Sequence, residues 1–112
     1  MEEALKKLGL NQKEVEFYLF LIKSGAKNAS TLAKELGETR TNTYMILDRL
    51  VALSVVEADD TRGIRKYSAS DPSTLKKLLV TKQQELKKTH QELTAVLPEL
   101  NSLYSLTQHK PG

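Results

Sequence analysis

The sequence predicts a mainly α-helical chain with one small β-hairpin, followed by a long C-terminal helix. Three observations carry that prediction. Apolar residues recur at helical spacing through capped segments that end near Leu53. The period then changes over "SVVEADDTRGIRKYSAS", where β-branched residues flank an Asp/Gly-rich turn. Beyond Asp71-Pro72 no glycine follows until Gly112, and leucines fall at every seventh position from Leu79 to Leu100.

Each element has its own local signal. Glu2–Leu8 reads as a short helix stopped by Gly9. Asn11 then caps a longer helix, with Glu14 three residues on as the partner in a capping box and Leu10 placed to staple against Val15. Tyr18, Leu19 and Ile22 continue the face of Val15, and Gly25 is the expected left-handed stop. Asn28 caps a second helix, Ala29–Leu36, whose stripe is Leu32, Ala33 and Leu36, with Gly37 as its stop. Thr39 caps a third, with Arg40 at its first position and Thr43, Ile46, Leu47 and Leu50 on one face.

The hairpin arms are Val55–Ala58 and Ile64–Ser68. They are too short to stand alone and must lie against the helices. Asp71-Pro72 restarts a helix, proline being favoured at the first helical position. Leu79, Leu86, Leu93 and Leu100 occupy successive a positions of a heptad, and Leu75, Lys82, Thr89, Val96 and Leu103 the d positions. The expected dimer interface is therefore Leu75, Leu79, Leu86, Leu93, Val96, Leu100 and Leu103. Pro98 falls on the outer face and is expected to kink the last third. The resulting division is a domain at 1–71, a dimerisation helix at 72–106 and a disordered tail at 107–112.

Composition removes several classes of function. The chain has 112 residues, about one domain, and no cysteine, so neither a disulfide framework nor a thiolate metal site is available. His90 and His109 are far apart and lack metal-ligand spacing to a second ligand, and no Gly-rich phosphate loop is present. An enzyme is not expected, nor is a metal, cofactor or small-molecule ligand. "MEEALKKLGL" is no signal peptide and no apolar run approaches a membrane span, so the expected compartment is the cytoplasm. The net charge of +3 and pI near 9.1 favour an anionic partner weakly. Residues 1–71 hold 11 basic and 11 acidic side chains, and the whole excess lies in 72–112 with 6 against 3. Nucleic-acid binding by the front half would rest on local placement of charge.

Helix, helix, helix, hairpin is the order of a winged helix-turn-helix, with Gly37 in the tight turn before the third helix. In that arrangement the third helix enters the major groove of double-stranded DNA, N-terminal residues first. "LGETRTNTYMILDRL" then makes sense. Threonine and asparagine are poor helix formers, and an arginine is unfavourable at the positive end of a helix dipole. A polar, anionic partner would explain both. The candidate DNA-contacting residues are Thr39, Arg40, Thr41, Asn42, Tyr44, Met45 and Arg49 on this helix, and Arg62, Arg65 and Lys66 on the wing. Plainer roles compete: Thr39 as a cap, Thr43 as a core isostere of valine, and the wing charges as edge protection. Asp59 and Asp60 oppose phosphate and can pair with the wing arginines. Asp48, facing outward, also repels phosphate unless it accepts from a cytosine amino group.

"LGLNQKEVEFYLFLIKSG", "ASTLAKELG", "TRTNTYMILDRL" and "VVEADDTRGIRKYSASDP" together resemble the TrmB-like family of winged-helix transcriptional regulators over roughly residues 5–105. Arg40 and Tyr44 match an Arg and a Tyr four apart at the start of that family's recognition helix, and Tyr67 to Pro72 match the segment leading out of its wing. The family usually has proline where Thr39 stands and valine where Thr43 stands. Its glycine after the recognition helix is Ser54 here, which opens the turn into the wing to a different geometry. Full-length members carry a C-terminal sugar-sensing domain, and this chain ends first. The resemblance therefore implies DNA binding and coiled-coil homodimerisation, and does not imply sugar sensing. MarR- and PadR-like regulators share the architecture. The rival reading is a winged-helix protein-docking or architectural module, which the balanced charge of 1–71 suits.

Overall fold

The computed structural model describes residues 1–108. Residues 109–112, with His109 and most of the expected tail, lie outside them, while Thr107 and Gln108 belong to the last helix. The order is α1 (Glu2–Lys7), α2 (Gln12–Ser24), β1 (Lys27–Asn28), α3 (Ala29–Glu35), α4 (Arg40–Ala52), β2 (Val56–Asp59), β3 (Lys66–Ala69) and α5 (Thr74–Gln108). A single 3₁₀ turn, Thr61–Gly63, joins β2 to β3. This is a winged helix-turn-helix with a long C-terminal helix, as the sequence predicts.

The caps form as expected. Asn11 accepts from the Glu14 amide at 2.8 Å while the Glu14 carboxylate accepts from the Asn11 amide at 2.8 Å, which closes the capping box. Asn28 caps α3 through the Thr31 amide, and Thr39 caps α4 through the Asn42 amide. The α3–α4 turn is tight because Gly37 takes a φ of +64°, which lets the Glu38 amide bond back to the Ala33 carbonyl.

Two expectations need correction. The hairpin is part of a three-stranded antiparallel sheet, order β1-β3-β2, with Lys27 opposite Tyr67 and Asn28 opposite Lys66. A two-residue strand leaves no periodicity to read. On α2 the buried residues are Glu14, Val15, Phe17, Tyr18 and Leu21, whereas Ile22 is exposed. This helix meets α1, α4 and β3, so its covered arc is wider than one stripe and is rotated from the expected one. Pro98 lies inside α5, which continues past it to Gln108.

The chain forms two compact units, Met1–Leu79 and the segment from Val80 onward. The core of the first gathers Leu10, Val15, Phe17, Leu32, Leu47, Leu50, Val55, Val56 and Tyr67. Leu78 is buried in that core and Leu75 packs against it. The first turns of α5 thus pack with the winged unit. Leu75 is spent on this core, so the free heptad face begins at Leu79, which is 46% exposed.

Candidate nucleic-acid interface

The interface is built on α4. Thr43, Leu47 and Leu50 are its buried side and lock the helix into the core. Thr43 does so without an orphan hydroxyl, because its Oγ1 donates to the Thr39 carbonyl at 2.8 Å. With that side fixed, Arg40, Thr41, Asn42, Tyr44, Met45, Asp48 and Arg49 are exposed. Met45 is 65% exposed.

Arg40 stands over the ring of Tyr44, 5.9 Å from its centre. A cation held against an aromatic face is worth about 0.5–1 kcal/mol at an exposed site. Tyr44 thus offsets part of the dipole penalty of an arginine in the first turn. Arg40 and Tyr44 share a shallow cleft with Ser30 and Ala33 of α3. Tyr44 also lines a second cleft toward the wing with Asn28, Ser30, Ile64, Arg65 and Tyr67. The α4 cleft and the wing cleft adjoin, and Ser30 and Tyr44 line both.

On the wing, Arg65 lies 5.5 Å from the centre of the Tyr67 ring and 3.8 Å from Asp60. The pair with Asp60 is exposed and loose, and such pairs contribute little. Asp59 turns to the Thr61 amide and hydroxyl, and those bonds hold its carboxyl below the usual aspartate range. The tip adopts left-handed backbone at both Arg62 and Gly63. Lys66 pairs across the sheet with Asp59 on one side and Asn28 on the other.

Two features were not legible in the sequence. Glu38 sits at the mouth of α4, where its carboxylate accepts from the Asn42 side chain at 3.0 Å and the Thr39 amide at 3.1 Å. Those two bonds, with Lys13 3.5 Å away, hold its carboxyl below the usual glutamate range. The helix N-terminus already holds an anion and has less attraction left for phosphate. That bond uses one N–H of the Asn42 amide and leaves its other N–H and its carbonyl oxygen outside it. The second feature is Arg49. Its Nε lies 2.6 Å from Oε2 of Glu14, a carboxylate buried among apolar residues, and its Nη donates to the Gly9 carbonyl at 3.0 Å. Arg49 ties α4 to the start of α2, and its side chain remains 54% exposed.

Ser54 resolves the question left at the end of the recognition helix. It keeps a left-handed φ of +64°, the conformation in which glycine is at ease, so the turn into the wing is retained with a serine in it.

The family model described as "Sugar-specific transcriptional regulator TrmB" matches residues 5–73. The chain belongs to the TrmB family. No curated protein matches it. Among solved structures, it is similar to TrmBL2, described as an archaeal chromatin protein with a novel mode of DNA binding, at 22% identity and a TM-score of 0.73. That match covers 98% of this chain and 43% of TrmBL2, so the chain spans less than half the length of that relative. Sco5413, a MarR family transcriptional regulator from Streptomyces coelicolor, aligns at 20% identity and a TM-score of 0.56, over 96% of this chain and 76% of Sco5413. ZitR from Lactococcus lactis, solved as a C30S mutant in complex with DNA, aligns at 15% identity and a TM-score of 0.54, over 90% of this chain and 72% of ZitR. These likenesses establish the fold. Among the described residues no helix is long and apolar enough to cross a membrane.

Proposed function

We propose that the chain is a sequence-specific double-stranded DNA-binding regulator that acts as a homodimer. The observation that carries the reading is the concave surface shared by α4 and the wing. It is lined by Arg40 and Tyr44 of α4 and by Arg65 and Tyr67 of the wing, and Thr41, Asn42 and Met45 of α4 and Arg62 and Lys66 of the wing are exposed as well. Short polar side chains at the leading end of α4 let the helix approach base edges closely, and the wing cations meet the backbone or minor groove. Family membership supports the reading, as does the similarity to a winged-helix protein solved on DNA. The homodimer is proposed from the apolar face of α5, where Leu86, Leu93, Val96, Leu100 and Leu103 are all between 45% and 71% exposed.

The experiment separates reading from holding. Duplexes selected in vitro for binding define a preferred site. Arg40→Ala is expected to cost about 1–3 kcal/mol on that site and to relax the preference at one base pair, since a guanidinium can bond guanine O6 and N7 together. Arg65→Ala is expected to weaken preferred and scrambled duplexes alike and to lower the salt slope by about one unit. Equal weakening by Arg40→Ala on both duplexes would make Arg40 a phosphate clamp and move specificity to Thr41, Asn42 or Met45. The second reading, a protein-docking module, is favoured by the balanced charge of residues 1–71 and by Glu38 at the mouth of α4. Little binding to DNA at any salt concentration would establish it in place of the first.

A further inference from the structure

The helix beyond Val80 is not uniform, and its asymmetry bears on how two copies pair. Its first half is basic: Lys82, Lys87 and Lys88 stand against Glu85, with Lys82 and Thr89 inside the heptad seam. Its second half, 92–108, holds no lysine or arginine, and Glu92 and Glu99 are its charges. There the apolar face widens. Leu97 and Tyr104, one position beyond the seam on the e flank, are 42% and 63% exposed beside Leu93, Val96, Leu100 and Leu103.

We propose that the occupant of this face is a second copy of the same helix, running antiparallel and centred near Pro98. The inference rests on the homodimer reading above and adds to it an orientation and a register.

Three arguments converge on it. The first is the seam. In an antiparallel pair an a residue meets a d residue of the partner. Centred at residue 98, Leu93 meets Leu103, Val96 meets Leu100, and Thr89 meets Thr107, so between 89 and 107 apolar faces apolar and hydroxyl faces hydroxyl, while Leu86 falls opposite residue 110, outside the described residues. The second is the flank. A parallel coil sets each g residue against the partner's e residue five positions on, which places Glu92 on Leu97 and Glu99 on Tyr104. An antiparallel coil sets e against e, which places Leu97 on Leu97 and Tyr104 on His90. The third is charge. A parallel coil aligns the lysine-rich halves of both copies and puts Lys82 against Lys82 in the seam. The antiparallel register moves those halves to opposite ends, with the two Val80 residues about 54 Å apart at 1.5 Å per residue. That is several Debye lengths, and the repulsion is screened out. The register leaves one like-charge contact, Glu99 beside its counterpart, on an exposed flank where such contacts cost little. Pro98 lies on the outer face at the centre and does not meet the partner.

The functional consequence follows from chain connectivity. The two winged units join the paired segment from opposite ends, so one dimer holds two separated DNA sites.

The absence of native cysteine makes the test direct. Single-cysteine variants Leu97→Cys and Leu93→Cys of the full chain are oxidised, and their mass in solution is measured before and after. A dimer is expected in both, with disulfide cross-linking for Leu97→Cys and not for Leu93→Cys. A spin label at Lys87→Cys, outside the seam, is expected to give an inter-label distance of about 33 Å or more from the helical rise. Cross-linking of Leu93→Cys without Leu97→Cys, or labels within about 20 Å of each other as side-by-side helices require, would overturn the orientation while leaving the dimer in place. A monomer at every concentration measured, for the wild-type chain as well, would instead overturn the homodimer reading itself.

Discussion

The winged unit and the helix beyond it spend the same residue types in opposite ways. In the unit, Val15, Leu32, Leu47, Leu50 and Val55 have no exposed surface. Along the helix, Leu86 is 71% exposed, Leu103 55% and Leu93 51%, at the same spacing of three and four residues. Periodicity is common to both regions. The unit folds a second and a third element over each apolar stripe, and along the segment after Val80 the stripe is exposed among the described residues. An amphipathic helix identifies which face must be covered and leaves open whether the chain itself does the covering. The described side chains of the unit are satisfied almost throughout; the Tyr18 hydroxyl is buried with no hydrogen-bond partner among the described residues. Its burial, with Asp71 adding to the effect, pushes the phenol above its ordinary range.

The contrast can be broken from either side, and the largest effect is expected on the helix. Leu93→Asp together with Leu100→Asp places two carboxylates of each copy in the proposed seam. The dimer dissociation constant is expected to rise by about 100-fold or more, since a buried unpaired charge costs several kcal/mol. Circular dichroism and thermal melting of the winged unit should be little changed, because neither residue belongs to its core. Sedimentation of the variant as an undiminished dimer would mean that another surface holds the copies together.

A smaller effect is expected inside the unit. Arg49→Ala removes the partner of a buried carboxylate, and stability should fall by about 1–3 kcal/mol. The half-exposed guanidinium keeps the figure below that of a fully buried pair. Urea denaturation measures it. Because Arg49 is engaged with Glu14 and Gly9, DNA affinity per folded molecule should stay close to wild type. A selective loss of DNA binding with unchanged stability would put Arg49 back on the contact surface.

The smallest effect sharpens the boundary between α4 and the wing. Ser54→Gly relieves a left-handed serine, which costs about 1–2 kcal/mol, and returns part of that through a more flexible unfolded chain. A net gain of about 0.5–1 kcal/mol is expected, read as a rise in melting temperature. No gain would mean that the serine hydroxyl or its solvation already compensates the backbone.

How much of this was legible differs from residue to residue. The capping box of Asn11 and Glu14, the cap at Thr39, the stop at Gly37 and the buried set Thr43, Leu47 and Leu50 are written in stretches of three to seven residues. Hydrogen bonds within one turn and side chains three or four apart decide them, so the sequence alone suffices. So do the order of elements and the family likeness built on it.

Tertiary structure decided the rest. Glu14 is readable as a capping residue through one oxygen; its other oxygen is claimed by Arg49, across a loop that no local pattern reports. The pairing of β1 with β3 joins Lys27 to Tyr67, and two residues carry no strand signal of their own. Leu75 fits a heptad or a core equally well by spacing, and the presence of a core within reach of the first turns of α5 settles it. Leu21 and Ile22 are equivalent by type and adjacent in sequence, yet one is buried and the other exposed because α2 is covered on more than one side. Local interactions depend on neighbours that the chain always has. Long-range ones depend on which surfaces the finished fold brings together, and that is a property of all the elements at once.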